Sequence, residues 1–188
     1  MCSLIINYKK MKLSDKITRS FLRKIWSWNE IIIPNFYFNW EMDIFRMLPS
    51  WYIYEYEIKI SRADFKNDFK KACWNRNKHE RLKDWKLDCN RFYFIVPRDL
   101  ILIDEIPDYC WLIYFDECPK WWFFETVKNA KFLHKEKKHW DIKFISYLLT
   151  KIAYREYIKW YDVRNLRHQK EQLIEFIKEN NLEVPYLF

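Results

Sequence analysis

The sequence predicts an α/β fold in which a mixed β-sheet is flanked by helices and followed by a C-terminal helical extension. Short β-branched and aromatic runs alternate with segments of helical periodicity. Half of the 188 residues are hydrophobic and 21% are aromatic, which is enough for a sizeable core. From about residue 135 onward the periodicity is helical throughout, so the chain divides into a core over 1–134 and an extension over 135–188.

The first half of the core contains a helix and three strands. Ser14 is suited to cap a helix over 14–26, in which apolar residues recur at helical spacing. Three runs that follow are rich in β-branched and aromatic residues, which is typical of strands; they cover 30–38, 40–47 and 51–60.

A basic helix is predicted directly after the third strand. Ser61, followed three residues later by Asp64, forms a capping-box pattern that begins a helix over 62–91. This segment carries ten basic against five acidic residues. A charge run of this kind is usually a solvated face, but it also suits contacts with phosphate groups.

The second half of the core contains further strands. Apolar runs predict strands over 91–97 and 111–117, and 121–127 indicates another strand or a sheet edge. Two amphipathic helices are predicted in the extension. Their apolar stripes need cover, which the sheet, each other or a second copy of the chain in a homodimer could provide.

Composition limits the classes of function. The formal net charge of +8 suits a polyanionic partner such as DNA, with a membrane surface as the competing partner. No uncharged run approaches the ~20 residues of a membrane helix, and no signal-peptide pattern is present, so we expect a cytoplasmic protein. The five cysteines show no C-x-x-C spacing, and glycine is absent, which excludes a P-loop and a Rossmann fingerprint.

Two carboxylates and a lysine form the candidate site. Side chains alternate along strands, so Asp43 lies on one face of the second strand and Glu57 shares a face of the third strand with Lys59. If these strands form an antiparallel hairpin, Asp43 stands opposite Glu57 and the pair can hold Mg²⁺ or Mn²⁺, completed by a backbone carbonyl and waters. Glu41 and Glu55 are expected at the rim. The alternative is a surface ion-pair cluster.

The longer sequence context resembles the PD-(D/E)XK nuclease superfamily. Asp43, followed by the E-x-K motif of Glu57 to Lys59, matches that superfamily. MmcB-type DNA-repair nucleases and their phage relatives are similar over residues 14–134. The matching segments are EIKISRADFKNDFKK, NRFYFIVP, IPDYCWLIYFDE and VKNAKFLH. The chain departs from these relatives at Cys110 and Trp111, where they have a small residue and glycine.

The resemblance implies a restriction-endonuclease-like core and a Mg²⁺-dependent deoxyribonuclease in DNA repair or phage DNA processing, in a bacterial or phage-infected cell. It implies that Asp43 and Glu57 bind the metal, with the carbonyl of Ile58 as a third ligand. Lys59 matches the catalytic lysine, and Glu30 matches an acid that supports the site.

The basic segment supplies the candidate contacts to DNA. Lys70 is favoured to reach the site and Lys71 is the alternative, while His79 is expected to be structural or exposed. Two other classes of protein stay open: a catalytically inactive nuclease-fold protein that binds nucleic acid, and a phage interaction or structural protein. The candidate nucleic-acid-binding residues are Arg62, Lys66, Lys70, Lys71 and Arg76.

Overall fold

The computed structural model describes residues 11–37, 41–73, 76–84, 89–117, 122–136 and 142–179. The first elements are helix α1 (Leu13–Ile25) and strands β1 (Ile31–Tyr37), β2 (Glu41–Met47) and β3 (Ile53–Ile58). Next come helix α2 (Arg62–Asp68), strands β4 (Ala72–Cys73) and β5 (Arg76–Asn77) and helix α3 (Lys78–Lys83). The remaining elements are β6 (Arg91–Pro97), a short 3₁₀ helix (Ile103–Glu105), β7 (Cys110–Glu117), β8 (Trp122–Lys128) and helix α4 (Ile142–Glu179).

The predicted α/β fold is confirmed. Six strands form one mixed sheet in the order β1-β2-β3-β6-β7-β8, and β4 and β5 form a separate two-stranded hairpin. The pairs β3–β6 and β6–β7 are parallel, and the other neighbours in the large sheet are antiparallel. The chain divides into two units, Met1–His139 and Trp140–Phe188.

Each face of the sheet is covered by helices from the same unit. On one face, Phe21 of α1 packs edge-on against Tyr56 and Phe124, with 5.0 Å between ring centroids in each pair. On the other face, Phe65 of α2 lies 5.1 Å from Phe94. Alternation along β3 therefore directs Tyr56 towards α1, and Glu57 towards α2 and α3.

The predicted helix over 62–91 is wrong, because α2 ends at Asp68. Ser61 caps α2 as predicted, since its Oγ accepts a hydrogen bond of 3.1 Å from the backbone N–H of Asp64. A second helix, α3, begins at Lys78, and Asn77 caps it by accepting a hydrogen bond of 2.8 Å from the N–H of His79. Lys78 is buried and forms ion pairs with Glu55 and Glu57 of β3. These tertiary contacts outweigh the helical periodicity of the segment.

The extension contains one helix where two were predicted. Helix α4 runs without a break over 38 residues. No proline or glycine occurs within it, so nothing in the sequence ends the helix midway. None of the helices in the described residues is both long enough and apolar enough to cross a membrane.

Candidate active site

Asp43 lies at the point where the ladder between β2 and β3 ends. The last pair in that ladder is Ile44 with Tyr56, and Asp43 Oδ2 accepts a hydrogen bond of 2.7 Å from the N–H of Ile58. A carboxylate therefore takes the position of the next backbone acceptor of β2, and Ile58 lies beyond the last pair of the β2–β3 ladder while it still pairs with Ile95 of β6. Continuing the register by one residue sets Asp43 opposite Glu57, so the structure brings the two candidate metal ligands together.

Glu57 belongs to a buried ionic network beneath β3. Its Oε2 accepts a hydrogen bond of 2.7 Å from Lys59 Nζ, which also donates to Asp68 Oδ1 at 2.6 Å. Its Oε1 accepts one of 2.7 Å from Lys78 Nζ, which lies 2.6 Å from Glu55 Oε1. All five side chains are at most 2% exposed. Since a buried ion is costly unless it is paired, each member depends on the others.

Lys71 is the solvent-facing cation of this network. Its side chain is 49% exposed, and its Nζ lies 3.0 Å from Asp68 Oδ1 and 3.7 Å from Glu57 Oε2. Together with Lys59 and Lys78, it balances the three buried carboxylates. The network thus has no excess charge of its own, and one of its cations is accessible from outside.

The network shifts pKa values in the directions that keep its members ionised. Burial opposes ionisation of Glu57, but the charges of Lys78 and Lys59 outweigh it and hold the pKa of Glu57 below its usual value. Burial likewise opposes ionisation of Asp68, but the hydrogen bond to His79 and the nearby lysines lower the pKa of Asp68 strongly. Burial lowers the pKa of Lys59, yet Glu57 and Asp68 more than compensate, so that pKa is raised.

Asp43 has the opposite electrostatic character. Its burial, and then the charge of Glu57, raise the pKa of Asp43 from 3.8 to about 6, although the N–H of Ile58 and the charges of Lys59 and Lys71 act against the rise. Within the part of the chain that the structure describes, Asp43 forms no salt bridge. The ionised form of Asp43 is therefore destabilised by its burial beside Glu57. An added cation would stabilise that form.

His79 connects the network to Tyr109. His79 Nε2 lies 2.8 Å from Asp68 Oδ2, and His79 Nδ1 lies 3.0 Å from the Tyr109 hydroxyl. Burial lowers the pKa of His79 in spite of the Asp68 charge, which favours the neutral ring at neutral pH. The neutral ring donates from Nε2 to Asp68, and the Tyr109 hydroxyl then donates to Nδ1. His79 is buried, so of the two expectations for it the structure supports a structural position.

Glu30 is not brought to the network, which corrects its assignment as a supporting acid. Its carboxylate accepts hydrogen bonds of 2.6 and 3.1 Å from Arg46, and Arg46 also donates to the Tyr56 hydroxyl at 3.2 Å. Tyr56 lies in the core under α1, on the opposite face of the sheet from Glu57. The proximity of Glu30 to β1 in sequence could not reveal this, because Arg46 on the neighbouring strand determines where the carboxylate lies.

The candidate DNA-contacting residues differ in their surroundings. Arg62 donates to the carbonyl of Leu100 and pairs with Glu105, so its charge is already engaged within the fold. Lys66 and Lys70 are exposed. Lys71, and not the favoured Lys70, lies beside the network. The side chain of Arg76 lies outside the described residues.

The residues that neutralise the acids beneath β3 were not predicted from the sequence. Glu55 was expected at the rim, and Asp68 and Lys78 were counted among the charges of a solvated helix. One signal was available: Glu55 and Glu57 share a face of a strand with an apolar pattern, and two buried acids require more than the one cation of Lys59. That signal predicts a partner without identifying Lys78, which is 21 residues away from Glu57.

The donor set fits a hard divalent cation. Mg²⁺ is commonly bound through one or two carboxylates and keeps several waters. Asp43 and Glu57 would supply the carboxylates and Ile58 a carbonyl. Each oxygen of Glu57 keeps acceptor capacity beside its bond to a lysine. Among the described residues, no group of three or more His, Cys, Asp and Glu side chains is arranged to hold a metal, so water would complete the shell.

Comparison with known proteins identifies the fold. No protein-family model and no curated protein match the chain. A solved structure of a protein of unknown function from Silicibacter pomeroyi is similar, with a TM-score of 0.54 and 20% sequence identity. The similarity covers 84% of this chain and 95% of that chain. At this level of identity it supports the shared α/β architecture and carries no information on activity.

Proposed function

We propose that this chain is a Mg²⁺- or Mn²⁺-dependent endonuclease that hydrolyses phosphodiester bonds of DNA. The observation that carries the proposal is the meeting of Asp43 and Glu57 at the end of the β2–β3 ladder, with Lys59 hydrogen-bonded to Glu57 at 2.7 Å. The reaction adds water across a P–O bond and yields a phosphate monoester and a free hydroxyl. DNA repair or phage DNA processing, in the cytoplasm of a bacterial or phage-infected cell, is the proposed setting.

Each residue of the candidate site has a defined role in the proposed reaction. Asp43 and Glu57 would hold the cation with the carbonyl of Ile58, and a bound metal would lower the pKa of water and neutralise charge on the phosphate. Lys59 is too deeply buried to bind a phosphate directly, so it orients Glu57 and keeps it ionised. Lys71 lies beside the same carboxylate and is half exposed, which suits contact with a phosphate oxygen.

The direct test is cleavage of circular DNA with and without a metal. We expect nicking or linearisation with Mg²⁺ or Mn²⁺, none with EDTA, and recovery when metal is restored in excess. Titration calorimetry with Mn²⁺ should show one site per chain that is lost in Asp43→Asn. Absence of both cleavage and Mn²⁺ binding in the folded protein would refute the proposal.

One observation favours the catalytically inactive alternative. Both oxygens of Glu57 already accept hydrogen bonds from ammonium groups, those of Lys59 and Lys78, so this carboxylate is neutralised without a metal. A protein that binds DNA with equal affinity in Mg²⁺ and EDTA and leaves it intact would support this alternative.

The basic residues of the α2 region yield a prediction about affinity. Replacing Lys66, Lys70 and Lys71 with alanine should weaken binding to all DNA sequences alike, because phosphate contacts carry no sequence information. Each lost contact should reduce the slope of log affinity against log salt by about 0.7–0.9. A matched control replaces Lys12, Arg19 and Arg23 with alanine. These residues are exposed on or beside α1, and replacing them removes the same amount of positive charge. Equal slopes in the two variants would show that DNA does not contact α2.

A further inference from the structure

Helix α4 exposes an unusual number of aromatic rings. The fractional exposure of these side chains ranges from 38% to 62%; they are Tyr147, Tyr154, Tyr157, Trp160 and Tyr161. Single exposed apolar residues are normal, but a group along one helix marks an interaction surface. Tyr157 lies 6.3 Å from Tyr161 and 6.4 Å from Trp160 between ring centroids, so these three rings form one contiguous group.

Helical geometry places these rings in one sector of the helix surface. At about 100° per residue, Tyr147, Tyr154 and Tyr161 lie within about 40° of one another, and Tyr157 and Trp160 extend the sector to about 140°. The rings are spread over about 21 Å along the axis, the length of roughly six stacked nucleotides. Exposed Leu149 and Val163 lie outside this sector.

The charge on the same stretch is complementary to a polyanion. Residues 147–168 carry five basic side chains and two acidic ones. Both acids, Glu156 and Asp162, fall outside the aromatic sector, and Glu156 is paired with Lys159 at 2.9 Å. Lys151 and Arg164 lie over the rings of Tyr147 and Trp160, at 5.2 and 5.4 Å from the ring centroids. Cations therefore border the rings themselves.

Self-association through this face is disfavoured. In a heptad pattern along this face, one core position is occupied by Tyr147, Tyr154 and Tyr161. The other core position is occupied by Thr150, Tyr157 and Arg164. In a parallel coiled coil these positions should be apolar, and here Arg164 would face its own copy at the seam. The aromatic sector therefore lacks the heptad pattern of a dimer interface, which was one of the three ways of covering the apolar stripes of the extension.

We propose that the aromatic sector of α4 binds single-stranded nucleic acid, with bases stacked on the rings and phosphates near Lys151 and Arg164. Flat rings bordered by cations suit unpaired bases of any sequence, because every base has a face for stacking. Paired bases in a duplex present only their edges. The inference concerns binding alone and does not rest on the proposed hydrolysis.

The test measures fluorescence anisotropy of a labelled oligo-dT of about 12 nucleotides with the full chain in EDTA. The variant Tyr157→Gln/Trp160→Gln/Tyr161→Gln removes three rings and keeps good helix formers. We expect at least tenfold weaker binding, since stacking on one ring is worth about that factor. A duplex of the same length should bind at least tenfold more weakly than oligo-dT to the unaltered chain. The control Leu149→Gln/Val163→Gln, outside the sector, should bind oligo-dT normally.

Each other outcome has a definite meaning. Equal affinity of the triple variant and the unaltered chain, with equal helix content by circular dichroism, would overturn the proposal. So would a dimer by light scattering that the triple variant converts to monomer without a change in oligo-dT affinity. Binding to anionic vesicles that the variant loses, with unchanged oligo-dT binding, would assign the face to a membrane surface. The oligo-dT measurement in EDTA needs neither metal nor cleavage, so failure of the nuclease proposal leaves this result independent.

Discussion

Replacing Asp43 with asparagine is expected to abolish cleavage while making the fold more stable. The substitution removes one of two carboxylates at the site, and even changes outside the first ligand shell cost roughly 10–100-fold, so a loss of a hundredfold or more is expected. The amide oxygen of asparagine can still accept the hydrogen bond from the N–H of Ile58. Fold and ligand geometry should therefore be kept while the charge is lost.

The gain in stability follows from the pKa of Asp43, raised from 3.8 to about 6. An acid whose pKa is higher in the folded state stabilises the fold fully below the unfolded pKa, and this contribution is lost as the pH rises through the folded pKa. The free energy of unfolding of the metal-free protein should thus fall between about pH 4 and pH 6, by up to about 3 kcal/mol from this group. The free energy of unfolding of Asp43→Asn should not show this fall, because the asparagine side chain does not ionise.

Urea denaturation in EDTA at several pH values measures the effect. Asp43→Asn and the unaltered protein should be equally stable below about pH 4, and the variant should be more stable above about pH 6. Glu41→Gln is the matched control, because it removes an exposed acid from the same strand. If Asp43→Asn cleaves DNA at the normal rate, or is less stable at pH 7, the assignment of Asp43 is wrong.

Replacing Lys78 with methionine is expected to be the most damaging single change to stability. The substitution leaves the buried carboxylates of Glu55 and Glu57 without the ammonium that bridges them at 2.6 and 2.7 Å. Removing one partner of a buried ion pair typically costs about 3–5 kcal/mol. That is a large part of the 5–15 kcal/mol by which domains are stable, so partial unfolding at room temperature is a foreseeable result.

The pH dependence identifies the cause of that loss. The depressed pKa of Glu57 contributes stability above its unfolded value of 4.5, which is lost as the pH falls, and the raised pKa of Lys78 contributes stability below its unfolded value of 10.5, which is lost as the pH rises. The difference between the unaltered protein and Lys78→Met should therefore be largest between about pH 5 and pH 10. It should shrink at acid pH.

Two further variants control the experiment. Lys83→Met removes an exposed lysine from the same short helix and should change stability by less than about 0.5 kcal/mol. Adding Glu55→Gln to Lys78→Met removes one of the stranded charges and should restore part of the stability. A Lys78→Met protein as stable as Lys83→Met would mean that Lys78 does not bridge the two acids in solution.

Strand positions and the facing acids were predictable because their causes are local. Alternation with period two placed Glu57 and Lys59 on one face, and a short hairpin between β2 and β3 set the register that brings Asp43 opposite Glu57. The cap at Ser61 depends on residues within one turn, and it was predicted correctly. Each of these features is determined by neighbours in the chain.

The sequence by itself therefore determined the strands of the large mixed sheet, the first helix, and the position of Asp43 opposite Glu57, but not the helices after β3 or the single helix of the extension. Only the tertiary structure decided which charges neutralise the acids. Lys78 and Asp68 reach the network across the chain, Lys71 takes the place expected for Lys70, and Glu30 turns to Arg46. The reason is physical: periodicity reports which face a side chain occupies, whereas the partner of a buried charge depends on which distant group the folded backbone brings within about 3 Å.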